Sequence, residues 1–278
     1  MGTAPEPPQP AVVTIAHGRH EHLRAQRAHL RATSATVRHV VVAMGDDEIA
    51  AVVGADPAAV VVPLPATPLG LPLAQARNTG AEQARRDGAD LLVFLDVDCL
   101  PDAGLLAAYA AAAAEHPDAL LCGPVTYLPE GVHPQPGDDL EGWWQPHPAR
   151  PDPGPGRTQP GGDHRLFWSL SFAVTTAAWD RLGGFCEDYV GYGGEDTDVG
   201  FTARAAGMDL VWVGGARAYH QHHPVERPPV RHLEAIVRNA QVFYDRWGVW
   251  PMEGWLSDFA EQGLVDWSPH AGRVRLRA

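Results

Sequence analysis

The sequence predicts an α/β protein built on a mostly parallel sheet flanked by helices, with a helical extension at its C-terminal end. Three observations carry this. Over residues 11–127, β-branched apolar runs alternate with helix-forming segments, the pattern of successive crossover units. One run, "DLLVFLDVDC" at 90–99, is continuously apolar until it breaks into carboxylates, as a strand covered on both faces does. Residues 228–248 place Val230, Leu233, Val237, Ala240 and Phe243 at helical spacing, an amphipathic helix after the alternation has ended.

Taken in order, "AVVTIA" (11–16) reads as a buried strand, and residues 21–32 as a helix with Leu23, Gln26 and Leu30 on one face. A β-branched strand over 38–45, a helix over 47–53 and a short strand over 59–65 follow. Residues 73–88 form a helix closed by Gly88, which takes the left-handed cap conformation readily. The strand 90–99 leads into a helix over 101–116 opened by Pro101, then a strand over 119–127. After a Pro- and Gly-saturated stretch, 129–163, the spacing predicts a strand over 166–174 and a helix over 175–184. A helix from Glu195 to Ala206, the strand "DLVWVGG" and the long helix at 228–248 complete the chain.

Composition bounds the function. Among 278 residues, 21 Lys and Arg stand against 34 Asp and Glu, a net charge of −13. Such a surface repels phosphate backbones and anionic lipid, which argues against nucleic acid or membrane binding as the main activity. Three widely spaced cysteines, Cys99, Cys122 and Cys186, fit neither a disulfide framework nor a CxxC metal site. No run reaches the roughly 20 apolar residues a spanning helix needs, and the N-terminus lacks the pattern of a signal peptide, so a cytoplasmic protein is expected.

The chemistry-bearing residues are acidic and cluster. Asp96 and Asp98 end the apolar run two residues apart, where a strand would turn both side chains to one side, and such a pair repels unless a cation lies between. Hard divalent ions such as Mn²⁺ or Mg²⁺ suit that arrangement. In "YVGYGGEDTDVGF" (189–201), Gly193 and Gly194 precede Glu195, Asp196 and Asp198. The glycines permit close backbone approach to a ligand or a positive φ, and the helix start favours ionised carboxylates, one of them poised as a base. Capping the helix is the simplest role for Asp198. In "AYHQHHP" (218–224), His220, His222 and His223 follow a strand and offer imidazole ligands. Trp143 and Trp144, in the Pro/Gly-rich stretch, suit either stacking on a sugar under a lid or pinning that stretch to the core.

In combination these motifs resemble a known family. "ARNTGAEQARRDGADLLVFLDVDCLPD" is similar to the central segment of family-2-type glycosyltransferases of the GT-A (Rossmann-like) fold. "FWSLSFAVTTAAWDRLGGFCEDYVGYGGEDTDVGFTARAAGM" followed by "AYHQ" resembles the C-terminal part of the β-1,4-galactosyltransferase and chondroitin-polymerase type. Pro-rich residues 1–10 read as a disordered tail, 129–163 as a flexible loop and 224–278 as a helical extension packed on the core, and the resemblance places a transferase domain at 11–223. It implies Asp98 and His220 as metal ligands, with His222 as the fallback, and Mn²⁺ or Mg²⁺ as cofactor. Asp196 is then the catalytic base and Glu195 its acceptor-binding neighbour. Tyr192 stands where the family pattern has Trp, beneath the acceptor with Trp143 and Trp144. Asp96, Asp46, Arg77, Asn78, His17, Arg19, Gly193 and Gly194 fall on the nucleotide-sugar side. The implied reaction is inverting transfer of a sugar, galactose or an N-acetylhexosamine, from a UDP-sugar donor to a hydroxyl of a small-molecule or glycan acceptor. A nucleotidyltransferase is the competing enzyme, but it calls for a Gly-rich, basic phosphate loop after the first strand, and "AHGRHEHL" has one glycine and no lysine. A non-catalytic glycan-binding module is the competing non-enzyme.

Overall fold

A computed structural model describes residues 8–277. Strands β1 (Pro10–Ala16), β2 (Arg38–Met44) and β3 (Ala59–Leu64) alternate with helices α1 (His20–Thr33) and α2 (Glu48–Val53). Helix α3 (Leu73–Arg86) and strand β4 (Leu91–Leu95) follow, then β5 (Cys99–Pro101), α4 (Leu105–Glu115), β6 (Leu120–Cys122) and β7 (Val125–Tyr127). Strands β8 (Thr158–Pro160) and β9 (Ser171–Thr175) precede α5 (Thr176–Leu182), α6 (Glu195–Ala205), β10 (Leu210–Val213) and β11 (Ala218–His220). Helices α7 (Leu233–Trp247) and α8 (Glu253–Glu261) and a two-stranded ribbon, β12 (Val265–Asp266) with β13 (Arg275–Leu276), end the described chain.

The main sheet has the order β3-β2-β1-β4-β9-β6-β10-β8. The Val-rich strands β3, β2, β1 and β4 pair in parallel, as the alternation predicts. Strand β9 runs antiparallel to both β4 and β6, and β8 antiparallel to β10, so the sheet is mostly parallel rather than uniformly so. The antiparallel insertion has a consequence for the site. It brings the start of β9 to the same sheet edge as the carboxyl ends of β4, β6 and β10, where ligands collect in open α/β sheets.

Packing explains several boundaries. Helix α3 lies so close to the sheet that a Cβ on Gly80 would meet Val13 Cγ1 at 2.4 Å, which leaves only glycine at that crossing. Phe94 stacks on Phe172 at 4.5 Å and on Trp179 at 5.1 Å, an aromatic core under β4 and β9. Pro101 lies in β5 and not at a helix start, because residues 99–101 pair with β11. The expected strand over 119–127 breaks at Gly123, where a Cβ would meet the Ala216 carbonyl, and continues as β7 in a second sheet, β5-β11-β7.

The Pro/Gly-rich stretch, expected as a flexible loop, has anchors along its length. It supplies β8, and the Arg150 guanidinium sits between the rings of Trp168 and Trp212, 5.3 and 5.1 Å from their centroids. Trp144 packs edge-on to Tyr219 and donates to Asp152 Oδ2 at 3.0 Å. Pinning to the core is therefore the role the structure gives Trp144. The tail expected at 1–10 lies outside the described residues up to residue 7, while Pro10 already belongs to β1. Helices α7 and α8 and the ribbon enclose a small core of their own, including Ile236, Trp250, Leu256, Phe259 and Val265.

Candidate active site

The two aspartates after β4 do not continue the strand. Residues 96–98 turn, with Asp96 N–H donating to the Leu170 carbonyl (3.0 Å) and Cys99 N–H to the Asp96 carbonyl (2.8 Å). Gln26 of α1, 0% exposed, holds this turn from behind, its Nε2 donating to the carbonyls of Asp96 (2.7 Å) and Cys99 (3.0 Å). The side chains therefore diverge instead of sharing one side of a strand. Asp96 accepts from Arg77 Nη2 at 3.1 Å. Burial pushes Asp96 up to about 6, only partly offset by Arg77. For Asp98 burial acts in the same direction, but hydrogen bonding with His223 and the charges of His220 and Arg19 outweigh it and hold the carboxyl below the usual range.

Asp98, His220 and His223 converge: their ligand atoms lie within 4.8 Å of one another. Strand β11 makes this possible by pairing antiparallel with β5, His220 opposite Cys99, and Gln221 N–H locks the register on the Asp98 carbonyl at 2.7 Å. Burial lowers the His220 pKa, which keeps a ring nitrogen available as a ligand. One carboxylate oxygen and two imidazole nitrogens fit a borderline divalent ion of the Mn²⁺ type. His222, the expected fallback, is exposed and contributes only its carbonyl, to His22 Nε2 at 3.4 Å. Alternation beyond β11 is lost at residue 221, so His223 rather than His222 faces Asp98, at 3.4 Å.

At the start of α6, Gly193 and Gly194 adopt φ of 98° and 94°, a region side chains disfavour. Their Cβ positions face protein: Met252 Sδ at 2.9 Å for Gly193 and the Tyr189 ring at 3.2 Å for Gly194. The glycines thus serve the positive-φ backbone turn, one of the two roles expected of them, and its packing on the C-terminal helices. Glu195, 6% exposed, accepts from Arg77 Nη1 at 3.3 Å, and its second oxygen has no protein partner. Asp196 Oδ1 accepts from the Thr197 N–H at 2.7 Å. Helix-dipole depression of these carboxyls is overturned: burial, then the like charge of Asp196, pushes Glu195 up to about 7, and burial raises Asp196 too.

Arg77 is the joint of the site. It bridges Asp96 and Glu195 from a side chain 5% exposed, so one buried cation balances two carboxylates from separate elements. Arg77→Met is expected to lower stability by about 3–5 kcal/mol by leaving both acids unpaired, measurable as a shift in denaturant midpoint. An unchanged midpoint would contradict this bridge.

The remaining expected residues divide. His17 Nδ1 lies 2.7 Å from the Met44 carbonyl, and Asp46 accepts from Gly18 N–H (2.7 Å) and His20 Nε2 (2.9 Å), so the first-strand turn and the second-strand end are bound together at the sheet edge. Arg19, with φ of 53°, directs Nη1 to 3.9 Å from Asp98. The Asn78 amide is engaged within the protein. Its nitrogen donates to the Phe185 carbonyl and Glu187, and its oxygen accepts from Phe185 N–H, so it brackets the 183–187 turn. Tyr192 and Trp143 are 42% and 46% exposed. Tyr192 flanks the acidic groups: burial, then the charges of Asp196, Glu195 and Asp96, pushes its hydroxyl up to about 12.

Comparison with known proteins bears directly on this geometry. The family model described as glycosyl transferase family 2 matches residues 68–181, which include Arg77, Asp96 and Asp98. A second, described as the N-terminal domain of galactosyltransferase, matches residues 162–233, which include Glu195, Asp196, His220 and His223. Between them the two glycosyltransferase models match residues 68–233, and the fold is the GT-A fold of glycosyltransferases. Solved structures share the fold at low identity. One is GalNAc-T7 with UDP, GalNAc and Mn²⁺, at TM-score 0.58 and 17% identity over 86% of this chain and 50% of that one. Another is Staphylococcus aureus TarS 1-349 in complex with UDP-GlcNAc, at TM-score 0.61 and 15% identity over 85% and 64%. Validoxylamine A glucosyltransferases of Streptomyces hygroscopicus subsp. jinggangensis and subsp. limoneus are 32% identical over 80 residues, 29% of this chain. That match spans under a fifth of each relative, 18% and 16%.

One residue near this site has a role that sequence reasoning missed. Asp198, 1% exposed, does not cap α6. Its Oδ1 accepts from Trp247 Nε1 (2.7 Å), Arg246 Nε (2.9 Å) and the Tyr189 hydroxyl (3.1 Å), tying the acidic helix to α7. The signal in the sequence was a third acid one turn into a helix whose first two acids were already accounted for. Asp198→Ala is expected to cost about 2 kcal/mol, because it strands the buried Tyr189 hydroxyl and takes the shared acceptor from Trp247 and Arg246, and should appear as a lowered thermal midpoint. A midpoint equal to wild type would sink the anchor. No helix among the described residues is long and apolar enough to cross a membrane.

Proposed function

We propose that this domain transfers a hexosyl group from a UDP-sugar to an acceptor hydroxyl, with a divalent ion bound at Asp98, His220 and His223 and with inversion at the anomeric carbon. The observation that carries the reading is the joining of two half-sites: Arg77 links the turn bearing Asp96 and Asp98 to the helix start bearing Glu195 and Asp196. The neighbours with UDP, GalNAc and Mn²⁺ or with UDP-GlcNAc, and the glucosyltransferase relatives, support a UDP-hexose donor.

When bound, a Mn²⁺-type ion offsets the negative charge that develops on a departing diphosphate. The chain's own groups do the rest. Arg19 adds a cation on the Asp98 side, and Asp96 orients the donor sugar through the oxygen not engaged by Arg77. Asp196 removes the acceptor proton with Oδ2, since Oδ1 is engaged by Thr197. Glu195, fixed by Arg77, accepts a second acceptor hydroxyl through its unpartnered Oε2. One base on the acceptor side supports direct displacement, which inverts the reacting carbon.

A thermal-shift panel of UDP-glucose, UDP-galactose, UDP-GlcNAc and UDP-GalNAc, with and without Mn²⁺, tests the reading. At about 100-fold excess over Kd, ligand binding adds about 2.7 kcal/mol to stability. A shift requiring both components is expected with at least one donor. No metal-dependent shift with any of them refutes it.

A further inference from the structure

The interface between α1 and the sheet holds four polar side chains that packing alone does not require. Thr14 of β1, His39 of β2, and Gln26 and Arg27 of α1 are all buried, while every other buried residue of β1 and β2 is apolar. A valine at 14 and a leucine at 26 would fill an ordinary helix-on-sheet interface, so the polar groups need a reason.

The four join end to end. Arg27 Nη1 lies 3.3 Å from His39 Nδ1, and His39 Nε2 lies 3.0 Å from Thr14 Oγ1. Thr14 Oγ1 is in turn 3.0 Å from both Gln26 Oε1 and the Leu95 carbonyl. Gln26 Nε2 then reaches the carbonyls of Asp96 and Cys99, on either side of Asp98. At the outer end Arg27 Nη2 donates to Asp56 Oδ2 and to the Val53 carbonyl, both at 3.0 Å. The path therefore runs from the opening of β2, across β1, to the carboxyl end of β4.

Donor and acceptor roles along this path admit one arrangement. A guanidinium only donates, so His39 Nδ1 accepts and the ring proton sits on Nε2. That Nε2–H donates to Thr14 Oγ1, whose own proton is left for Gln26 Oε1 and the Leu95 carbonyl. With Oε1 accepting there, the Gln26 N–H groups face the two turn carbonyls. A flipped amide would set its oxygen against both of them. Burial, then the charge of Arg27, pushes His39 down to about 3, so the ring stays neutral and the order of roles holds.

We propose that Arg27, His39, Thr14 and Gln26 are positioning residues, a relay that orients the turn at 96–99 so that the Asp98 carboxylate meets His220 and His223. This rests on the metal-dependent transferase reading above and extends it to groups that touch neither metal nor substrate. In a low-dielectric interior such hydrogen bonds strengthen one another, so an ion pair at the far end of β2 helps hold an amide beneath the site. A turn left unheld lets the carboxylate point elsewhere, which weakens ion binding and leaves the acceptor side as it was.

Two measurements on the full chain test the relay. The first needs no ligand: amide hydrogen exchange of residues 96–99 in metal-free protein, set against that of β2 and α3. The second is the Mn²⁺ dissociation constant in the presence of UDP, by calorimetry. Gln26→Leu is expected to raise that constant about 10-fold or more, the scale on which groups behind a metal ligand act. Thr14→Val, which keeps the shape and removes the hydroxyl, should raise it about 5-fold and speed exchange at 96–99 by a similar factor. Thr14→Ser restores the hydroxyl and should recover most of both, and His39→Leu, remote from the turn, should move both in the same direction as Thr14→Val. A merely structural role predicts faster exchange throughout the sheet and an unchanged Mn²⁺ constant in the folded variants. Should Gln26→Leu fail to fold, Thr14→Val reads the same two quantities. Wild-type exchange at 96–99 in folded Thr14→Val and His39→Leu overturns the relay, and altered exchange with an unchanged Mn²⁺ constant overturns its link to the metal. Absence of Mn²⁺ binding in the wild-type chain, with exchange altered as expected in the variants, would instead overturn the transferase reading beneath it.

Discussion

Asp98→Ala is expected to abolish Mn²⁺-dependent UDP binding and to lower transfer by on the order of 10³-fold or more, the largest effect of any single substitution in this site. The reason lies in what Asp98 joins. It is the only carboxylate among the three converging ligands, and it faces Arg19, His220 and His223 together. Its removal leaves two imidazoles and no carboxylate, a set with little affinity for an oxygen-preferring ion. Calorimetry of UDP with Mn²⁺ decides the matter: wild-type affinity in Asp98→Ala would refute the metal assignment. The companion His223→Ala should weaken metal-dependent UDP binding, while His222→Ala, at an exposed side chain, should not.

Asp196→Asn is expected to lower transfer by about 10²- to 10⁴-fold while leaving UDP affinity intact, the signature of a lost base rather than a lost binding group. The electrostatics add a pH dependence. Burial and mutual repulsion raise both Glu195 and Asp196, so the pair holds protons at pH values where ordinary carboxylates are ionised. Transfer should therefore fall as the pH drops through the region just below neutrality. Glu195→Gln removes one negative charge beside Asp196, makes its ionisation easier, and should move the acid limb to lower pH. Stability follows in the opposite sense. The unfolded chain releases the Glu195 proton near 4.5, whereas the folded chain keeps it to about 7, so the folded state binds the extra proton in that window. Stability is then lost as the pH rises through it, and Glu195→Gln should flatten that slope. A profile identical to wild type in both respects would contradict the buried pair.

Much of this site was legible because its signals are local. A continuous apolar run ending in Asp96 and Asp98 marks the carboxyl end of a central strand. Glycines before Glu195 and Asp196 mark a turn into a helix. Residue type and spacing carry such information without knowledge of neighbours. Other assignments depended on partners distant in the chain. Asn78 stands in the expected motif, yet it is consumed by a turn 107 residues away. Gln26 reads as one more helix-face residue, yet it braces the carbonyls of the metal-side turn. Strand alternation favours His222, but pairing ends at His220 and the loop beyond turns His223 to Asp98.

The sequence by itself determined the α/β architecture, the acidic motifs and their placement at element ends, because backbone propensity and hydrophobic periodicity act over a few residues. The tertiary structure alone decided which groups meet: Arg77 between Asp96 and Glu195, Asp198 on α7, and Thr14 between His39 and Gln26. It also reversed the expected ionisation of Glu195 and Asp196. A helix start taken in isolation favours a charged carboxylate, but burial beside another acid costs more than the dipole returns, and burial belongs to the folded whole.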